Sequence, residues 1–288
     1  MSYPNQDQAA SLRAKAAPNG YHKALRCIAV ASGKGGVGKT FFSVNLAICL
    51  ARLGSRTLLV DCDLGLGNVD LLLGASPKLT LRDAILERRP LKEVVATSPH
   101  GVDFLAAASG ERDMADLGGL RLQAFMDELL AFASSYDSVI LDCGAGISHS
   151  VTSFIAAAPQ TVVVMAPEPT SIMDGYALVK TVHQDMLARK LGVVINMAES
   201  ESQAQALHRQ ITRASESFLA APPELLGAIP RSDLVRRAVL TRTPLVIGAP
   251  DSDPALALRR IAQRLLATGG TGEIDTKALA AGLAGMGR

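Results

Sequence analysis

Tryptophan is absent from the 288 residues, and the aromatic share is only 4%. A core must therefore be built from Ala, Leu, Val and Ile, as it is in helix-covered parallel sheets. Cysteine is scarce as well. Cys27, Cys49, Cys62 and Cys143 are widely spaced and form no C-x-x-C pair, which argues against a disulfide framework or zinc ribbon and for a reducing compartment. Neither sign of charge dominates: the net charge of +2 is too small to imply a nucleic-acid partner by itself. No apolar run approaches the ~20 residues that span a bilayer. Residues 1–24 are polar and contain Pro4 and Pro18, unlike a secretory leader. These absences lead us to expect a cytoplasmic protein. The length suits one large α/β domain or two small ones, and 48% apolar residues suffice for a sizeable core.

Against that background one stretch stands out: Gly33-Lys34-Gly35-Gly36-Val37-Gly38-Lys39-Thr40. It fits the phosphate-loop pattern G-x-x-x-x-G-K-[ST], with an extra lysine, Lys34, directly after the first glycine. An apolar run over 25–31 precedes it and a helical run over 40–52 follows, the strand–loop–helix setting the motif requires. Amide N–H groups of such a loop can wrap a polyphosphate, aided by the positive end of the helix dipole. The glycines let the backbone come close where a Cβ would clash. Lys39 would neutralise the β- and γ-phosphates, and the Thr40 hydroxyl would ligate Mg²⁺.

Short apolar runs rich in Val, Ile and Leu predict strands at 25–31, 56–61, 102–106, 138–142, 160–166, 192–196 and 225–229. Helix-period stretches lie between and after them, at 40–52, 120–134, 148–157, 171–190, 202–219, 232–240 and 254–267. The alternation implies an α/β fold: a doubly wound, mostly parallel sheet with helices on both faces. Ligands of such sheets sit at the carboxyl edge of the strands. The phosphate loop, Asp61 and Asp142 all fall at such ends. Residues 1–24 read as a separate segment and linker, 25–267 as the main domain, and 268–288, rich in Gly, Thr and Ala, as a loose tail.

Two acidic strand ends complete the candidate site. Asp61 can hold Mg²⁺ directly or through water. Asp63, two residues on, points to the same side of an extended backbone and can orient an attacking water. Gly65 and Gly67 give this segment mobility. The alternative is that either aspartate merely caps its loop. Three apolar residues, Val139 to Leu141, lead into Asp142, and Gly144 and Gly146 follow. That arrangement suits a Mg²⁺-linked carboxylate beside a segment that responds to a γ-phosphate.

These residues together carry a resemblance. The run from Lys34 to Thr40, Asp61-x-Asp63 and Asp142-x-x-Ala-Gly resemble the deviant Walker A P-loop ATPases of the MinD/ParA class, over roughly residues 25–265. Within that class, 63–74 (DLGLGNVDLLLG), 168–178 (EPTSIMDGYAL) and Asn196-Met-Ala are similar to the FlhG family, also called FleN or YlxH, which sets flagellar number and placement. The resemblance implies a homodimer formed in ATP, in which Lys34 reaches the partner subunit's phosphates. Lys34, Lys39 and Asp63 then form the catalytic set. Thr40, Asp61 and Asp142 serve the metal, and Gly33 to Thr40, Asn196 and the segment around Pro230 bind ATP. The stretch from Asp7 to Arg13 (DQAASLR) matches a family element that engages the FlhF-type GTPase, with Gln8 entering that GTPase's active site. A flagellar transcription activator and switch-complex proteins are further partners the family implies.

Other readings stay open at this point. MinD-type tails bind membrane through an amphipathic helix. Leu279, Leu283 and Met286 share a helical face here, but the tail carries only Lys277 and Arg288 as cations, and its glycines weaken a helix. A peripheral position at the inner membrane face or cell pole is therefore one alternative. A ParA-like DNA- or cargo-partitioning ATPase is another. Arg231, Arg236, Arg237 and Arg242 are its nearest basic cluster, and the low net charge makes DNA the less favoured partner. An iron–sulfur reductase would need ligands beyond Cys62 and Cys143, which read more simply as small apolar residues. The five histidines show no ligand spacing.

Overall fold

A computed structural model describes residues 25–108, 110, 119–184, 190–216 and 222–268. The Asp7–Arg13 stretch and the tail residues Leu279, Leu283 and Met286 lie outside them. Among the described residues one eight-stranded sheet runs in the order β3-β4-β2-β5-β1-β6-β7-β8. Its members are β1 (Arg26–Ser32), β2 (Thr57–Cys62), β3 (Ala96–Thr97), β4 (Asp103–Leu105), β5 (Ser138–Ala145), β6 (Gln160–Met165), β7 (Lys190–Ala198) and β8 (Glu224–Pro230). Seven strands are parallel. β3 pairs antiparallel with β4 at one edge, an addition the sequence did not announce, since two residues carry no periodicity.

Both faces of the sheet are covered, so its strands are apolar on both sides. Cys27, Ala29 and Ala31 of β1 join one core layer, while Ile28 and Val30 join the other. The first layer is closed by α5 (Gly119–Ala133), α6 (His149–Ala157), α7 (Pro169–Gln184) and α8 (Glu201–Ser215). The second is closed by α1 (Lys39–Arg52), α10 (Leu245–Gly248) and α11 (Asp253–Ala267). Helix α1 is apolar nearly all round and buried on every side between the sheet and α11, with Phe42, Leu46, Ile48 and Leu50 fully enclosed. Each such side chain contributes about 1.5–3 kcal/mol by leaving water, which anchors the helix that follows the phosphate loop. Short helices α2 (Val69–Leu73), α3 (Leu81–Ile85) and α4 (Leu91–Val94) link β2 to β3, and α9 (Asp233–Leu240) follows β8.

Several boundaries differ from the sequence reading for local reasons. β5 runs on to Ala145 rather than stopping at Asp142, because Ser32 pairs with Ala145 across an irregularity in β1. β7 likewise continues past Asn196 to Ala198 through a register shift, with Met197 in the left-handed region at φ 59°. Helix α7 opens at Pro169, ahead of Thr170 and Ser171. Ser171 instead accepts a hydrogen bond from the Ala166 amide at 2.9 Å. Pro254 falls in the first turn of α11, where its missing N–H costs nothing.

Candidate functional site

β1 is flanked by β5 and β6, and the glycine loop leaves its carboxyl end at the centre of the sheet. Gly36 (φ 81°) and Gly38 (φ 86°) hold left-handed conformations that an L side chain resists. Gly38 is also the N-cap of α1. That helix start has no side-chain cap and no acidic residue in its first turn, so its leading N–H groups and dipole end are left for an anion. Two contacts fix the loop from the sides. A Cβ at position 33 would lie 2.1 Å from the Asp174 carbonyl carbon, and one at 38 would lie 2.2 Å from Asn196 Nδ2. Nothing crowds Gly35 or Gly36.

The two loop lysines point to different places. Lys39 is buried and its Nζ lies 2.9 Å from Asp142 Oδ1. Burial disfavours its ammonium, but attraction to Asp142 and the hydrogen bond to it prevail and hold its pKa above the ordinary lysine value. Lys34 donates instead to Thr170 Oγ1 at 2.9 Å and Glu168 Oε2 at 3.2 Å, both exposed at the start of α7.

Beneath the loop, Asp61 and Asp142 are register partners on β2 and β5, and both are essentially inaccessible to water. Asp142 Oδ1 accepts from Lys39 and from the Ser43 hydroxyl at 2.8 Å. Its Oδ2 is buried without a hydrogen-bond partner. Asp61 accepts main-chain N–H groups from Asp63 (3.2 Å) and Val69 (3.1 Å), so it caps its own loop and the start of α2. Burial, then the charge of Asp142, pushes the Asp61 carboxyl up to about 7, against the pull of the two amides and Lys39. Gly67 lets the chain pass over this carboxylate: a Cβ there would lie 2.4 Å from Asp61 Oδ2. Asp63 is half-buried. A Cβ on Gly144 would stand 3.8 Å from its Cγ, so the segments after β2 and β5 meet here.

The remaining sequence candidates fall around the same loop. Thr40 is half-buried in the first turn of α1, and Val37 is its buried anchor. Asn196 is buried and donates from Nδ2 to the Val37 carbonyl at 2.8 Å, bracing the loop from β7. Pro230 is half-buried at the end of β8, opposite Ala198. Ser43 was not singled out from sequence. Its place one turn beyond Lys39, on the same helix face, was the available signal. Cys62 and Cys143 are buried, and burial pushes both thiols up. Arg236 and Arg237 lie on α9, none of whose residues is buried and whose Leu234, Val239 and Leu240 are exposed beside them.

Two observations test whether a polyphosphate and a divalent cation suit these residues. The site holds a buried carboxylate oxygen with no partner, an uncapped helix start and a buried ammonium. That donor set fits Mg²⁺ and phosphate oxygens.

A central strand, a glycine loop seated on a bare helix start, and acidic residues on adjoining strands define a P-loop nucleoside triphosphatase. Comparison with known proteins places it more narrowly. Residues 28–245 match the CobQ/CobB/MinD/ParA nucleotide binding domain. The chain is 41% identical over 245 residues to the antiactivator FleN of Pseudomonas aeruginosa, covering 84% of this chain and 86% of that one. It is 30% identical over 250 residues to the flagellum site-determining protein YlxH of Helicobacter pylori, covering 86% and 84%. Its fold matches that of the septum site-determining protein MinD of Pyrococcus horikoshii, complexed with Mg-ADP, with a TM-score of 0.73 at 24% identity, over 87% of this chain and all of that one. The chain belongs to the CobQ/CobB/MinD/ParA family and is an ATP-hydrolysing member of it, similar to the FleN/FlhG branch. Among the described residues no helix is long and apolar enough to cross a membrane.

Proposed function

We propose that the chain is an ATP-gated dimerising switch that controls flagellar number and placement through partner proteins. The observation that carries this reading is the divergence of the two lysines. Lys39 faces the buried carboxylates, whereas Lys34 is held at the surface by Glu168 and Thr170. A lysine so displayed is available to a second copy of the chain. Leu66, Ile147 and Met173 support the same face. They follow the carboxyl ends of β2, β5 and β6, and are 71%, 54% and 71% exposed, which suits a surface that a partner subunit covers.

In this reading Lys39 leaves Asp142 to bind the β- and γ-phosphates, and the α1 amides hold them. Lys34 crosses to the partner's nucleotide, and Asp63 orients the attacking water. Mg²⁺, held by Thr40 and on the side of Asp61 and Asp142, would neutralise charge on the phosphates. Asn196 and the segment around Pro230 would read the base. The stretch from Asp7 to Arg13 recruits an FlhF-type GTPase and stimulates it. The names of the relatives, an antiactivator and a flagellum site-determining protein, support the biological setting.

The test is hydrodynamic. Light scattering after gel filtration should show a monomer with ADP and a dimer with a non-hydrolysable ATP analogue and Mg²⁺. The same mass in both nucleotides would sink the proposal.

A further inference from the structure

Asp142 is held by two donors of different kinds, and only one is free to leave. Lys39 Nζ and Ser43 Oγ both address Oδ1, at 2.9 and 2.8 Å, while Oδ2 stands buried with no partner. Ser43 is fully buried in the second turn of α1, within the run Phe41 to Leu50 that is buried throughout, so its hydroxyl cannot swing to water. Its oxygen also lies 3.2 Å from the Lys39 carbonyl. A serine has one proton to donate, and the shorter contact to a charged acceptor is the stronger. A P-loop lysine, by contrast, must turn to the phosphates of its nucleotide. Once Lys39 has done so, Ser43 is the remaining side-chain donor on Oδ1.

We propose that Ser43 is a positioning residue of the ATPase site, which fixes the Asp142 carboxylate so that its Oδ2 edge stays turned toward the metal side when Lys39 moves to phosphate. This rests on the reading of Asp142 as a metal-linked carboxylate. Two chemical demands single out position 43. Its side chain must carry a donor that reaches Oδ1 from inside the helix, and the buried Ser43 hydroxyl does so at 2.8 Å. It must also stand one turn beyond Lys39, where the helix brings positions i and i+4 together. Alanine would leave a rotatable carboxylate whose second oxygen has no fixed direction. Outer groups that orient metal ligands are typically worth 10–100-fold in metal affinity.

The experiment titrates Mg²⁺ into the full chain with a fluorescent ATP analogue, following nucleotide binding, alongside thermal unfolding. Ser43→Ala should stay folded with a somewhat lower melting midpoint, because a buried hydrogen bond is lost, and keep its metal-free nucleotide affinity, while the Mg²⁺ concentration for half-saturation rises about tenfold, equivalent to ~1.4 kcal/mol. Ser43→Thr, which restores a hydroxyl, should return most of that loss. Asp142→Asn separates the two ideas. If it shifts the Mg²⁺ titration and Ser43→Ala does not, the role of Ser43 is overturned and that of Asp142 stands. If neither variant shifts it, the metal-side reading of Asp142 falls, and the proposal with it. A threonine variant as impaired as the alanine one also overturns the proposal, because packing rather than the hydroxyl would then be responsible.

Discussion

Lys34→Ala separates chemistry from stability. The lysine's two partners, Glu168 Oε2 at 3.2 Å and Thr170 Oγ1 at 2.9 Å, are at the surface, with the ion pair 35% and 58% exposed on its two sides. Such a pair is worth about 0–1 kcal/mol. For a domain of this size each kcal/mol moves the melting midpoint by about 2–4 °C, so the variant should melt within ~4 °C of the parent. A cationic group that completes a phosphoryl-transfer site from a partner molecule is worth about 10³–10⁵ in rate, or ~4–7 kcal/mol of barrier. Activity should therefore collapse while the fold is barely disturbed. The assay pairs a thermal melt with phosphate release and with gel filtration in the ATP analogue. The expected result is a near-parental melt, no dimer and no measurable turnover. A variant that dimerises and hydrolyses ATP within tenfold of the parent would refute the reasoning. So would a melt lowered by 10 °C or more, since Lys34 would then be structural.

Three further outcomes are expected. Asp63→Ala should trap an ATP-bound dimer, because Asp63 meets the Gly144 segment without carrying the buried charge cluster; gel filtration that finds a monomer in ATP would contradict its water-orienting role. Removing residues 1–15 should spare ATP hydrolysis and abolish stimulation of an FlhF-type GTPase, and unchanged stimulation would end the recruitment idea. The third concerns pH. An unfolded aspartate loses its proton near pH ~4, whereas Asp61 in the fold holds it to about 7. Between these values the folded state binds the extra proton, so this contribution is complete below the lower value and is lost as pH rises through the upper one. The parent's melting midpoint should thus fall relative to that of Asp61→Asn between pH 5 and pH 8, and a flat difference would show that Asp61 does not titrate there.

The sheet and the phosphate loop were legible because their signals are local. Eight consecutive residues specify the loop, and the apolar runs of β1, β5 and β6 are long enough to read. Asp142 was legible as a carboxylate but not as an interior strand residue, because Gly144 and Gly146 read as a strand end and the pairing of Ser32 with Ala145 is a tertiary event. Asp61 was legible as a loop-capping candidate, yet its partner Val69 lies eight residues on. The hydrogen bond from Asn196 to Val37 spans 159 positions, and nothing in either neighbourhood announces it. Ser43 was hidden for a different reason: a serine among the many apolar residues of α1 looks like a filler until the carboxylate it meets is placed. The α3 capping box, Thr80 with Asp83, shows the opposite case, a short-range pattern that was present in the sequence and left unread.

Gly33 is commonly explained by its motif, as the residue that starts the turn around phosphate. Here its hydrogen faces the main chain of α7, and the nearest atoms to a methyl group placed there belong to Asp174 and Gly175. Gly175 in turn leaves room for Met165 of β6 beneath it. The three are stacked so tightly that the root of the loop is seated directly on the neighbouring helix. An alanine at 33 would thus wedge that helix, with Glu168 and Thr170 at its head, away from the sheet, and nucleotide binding would suffer secondhand.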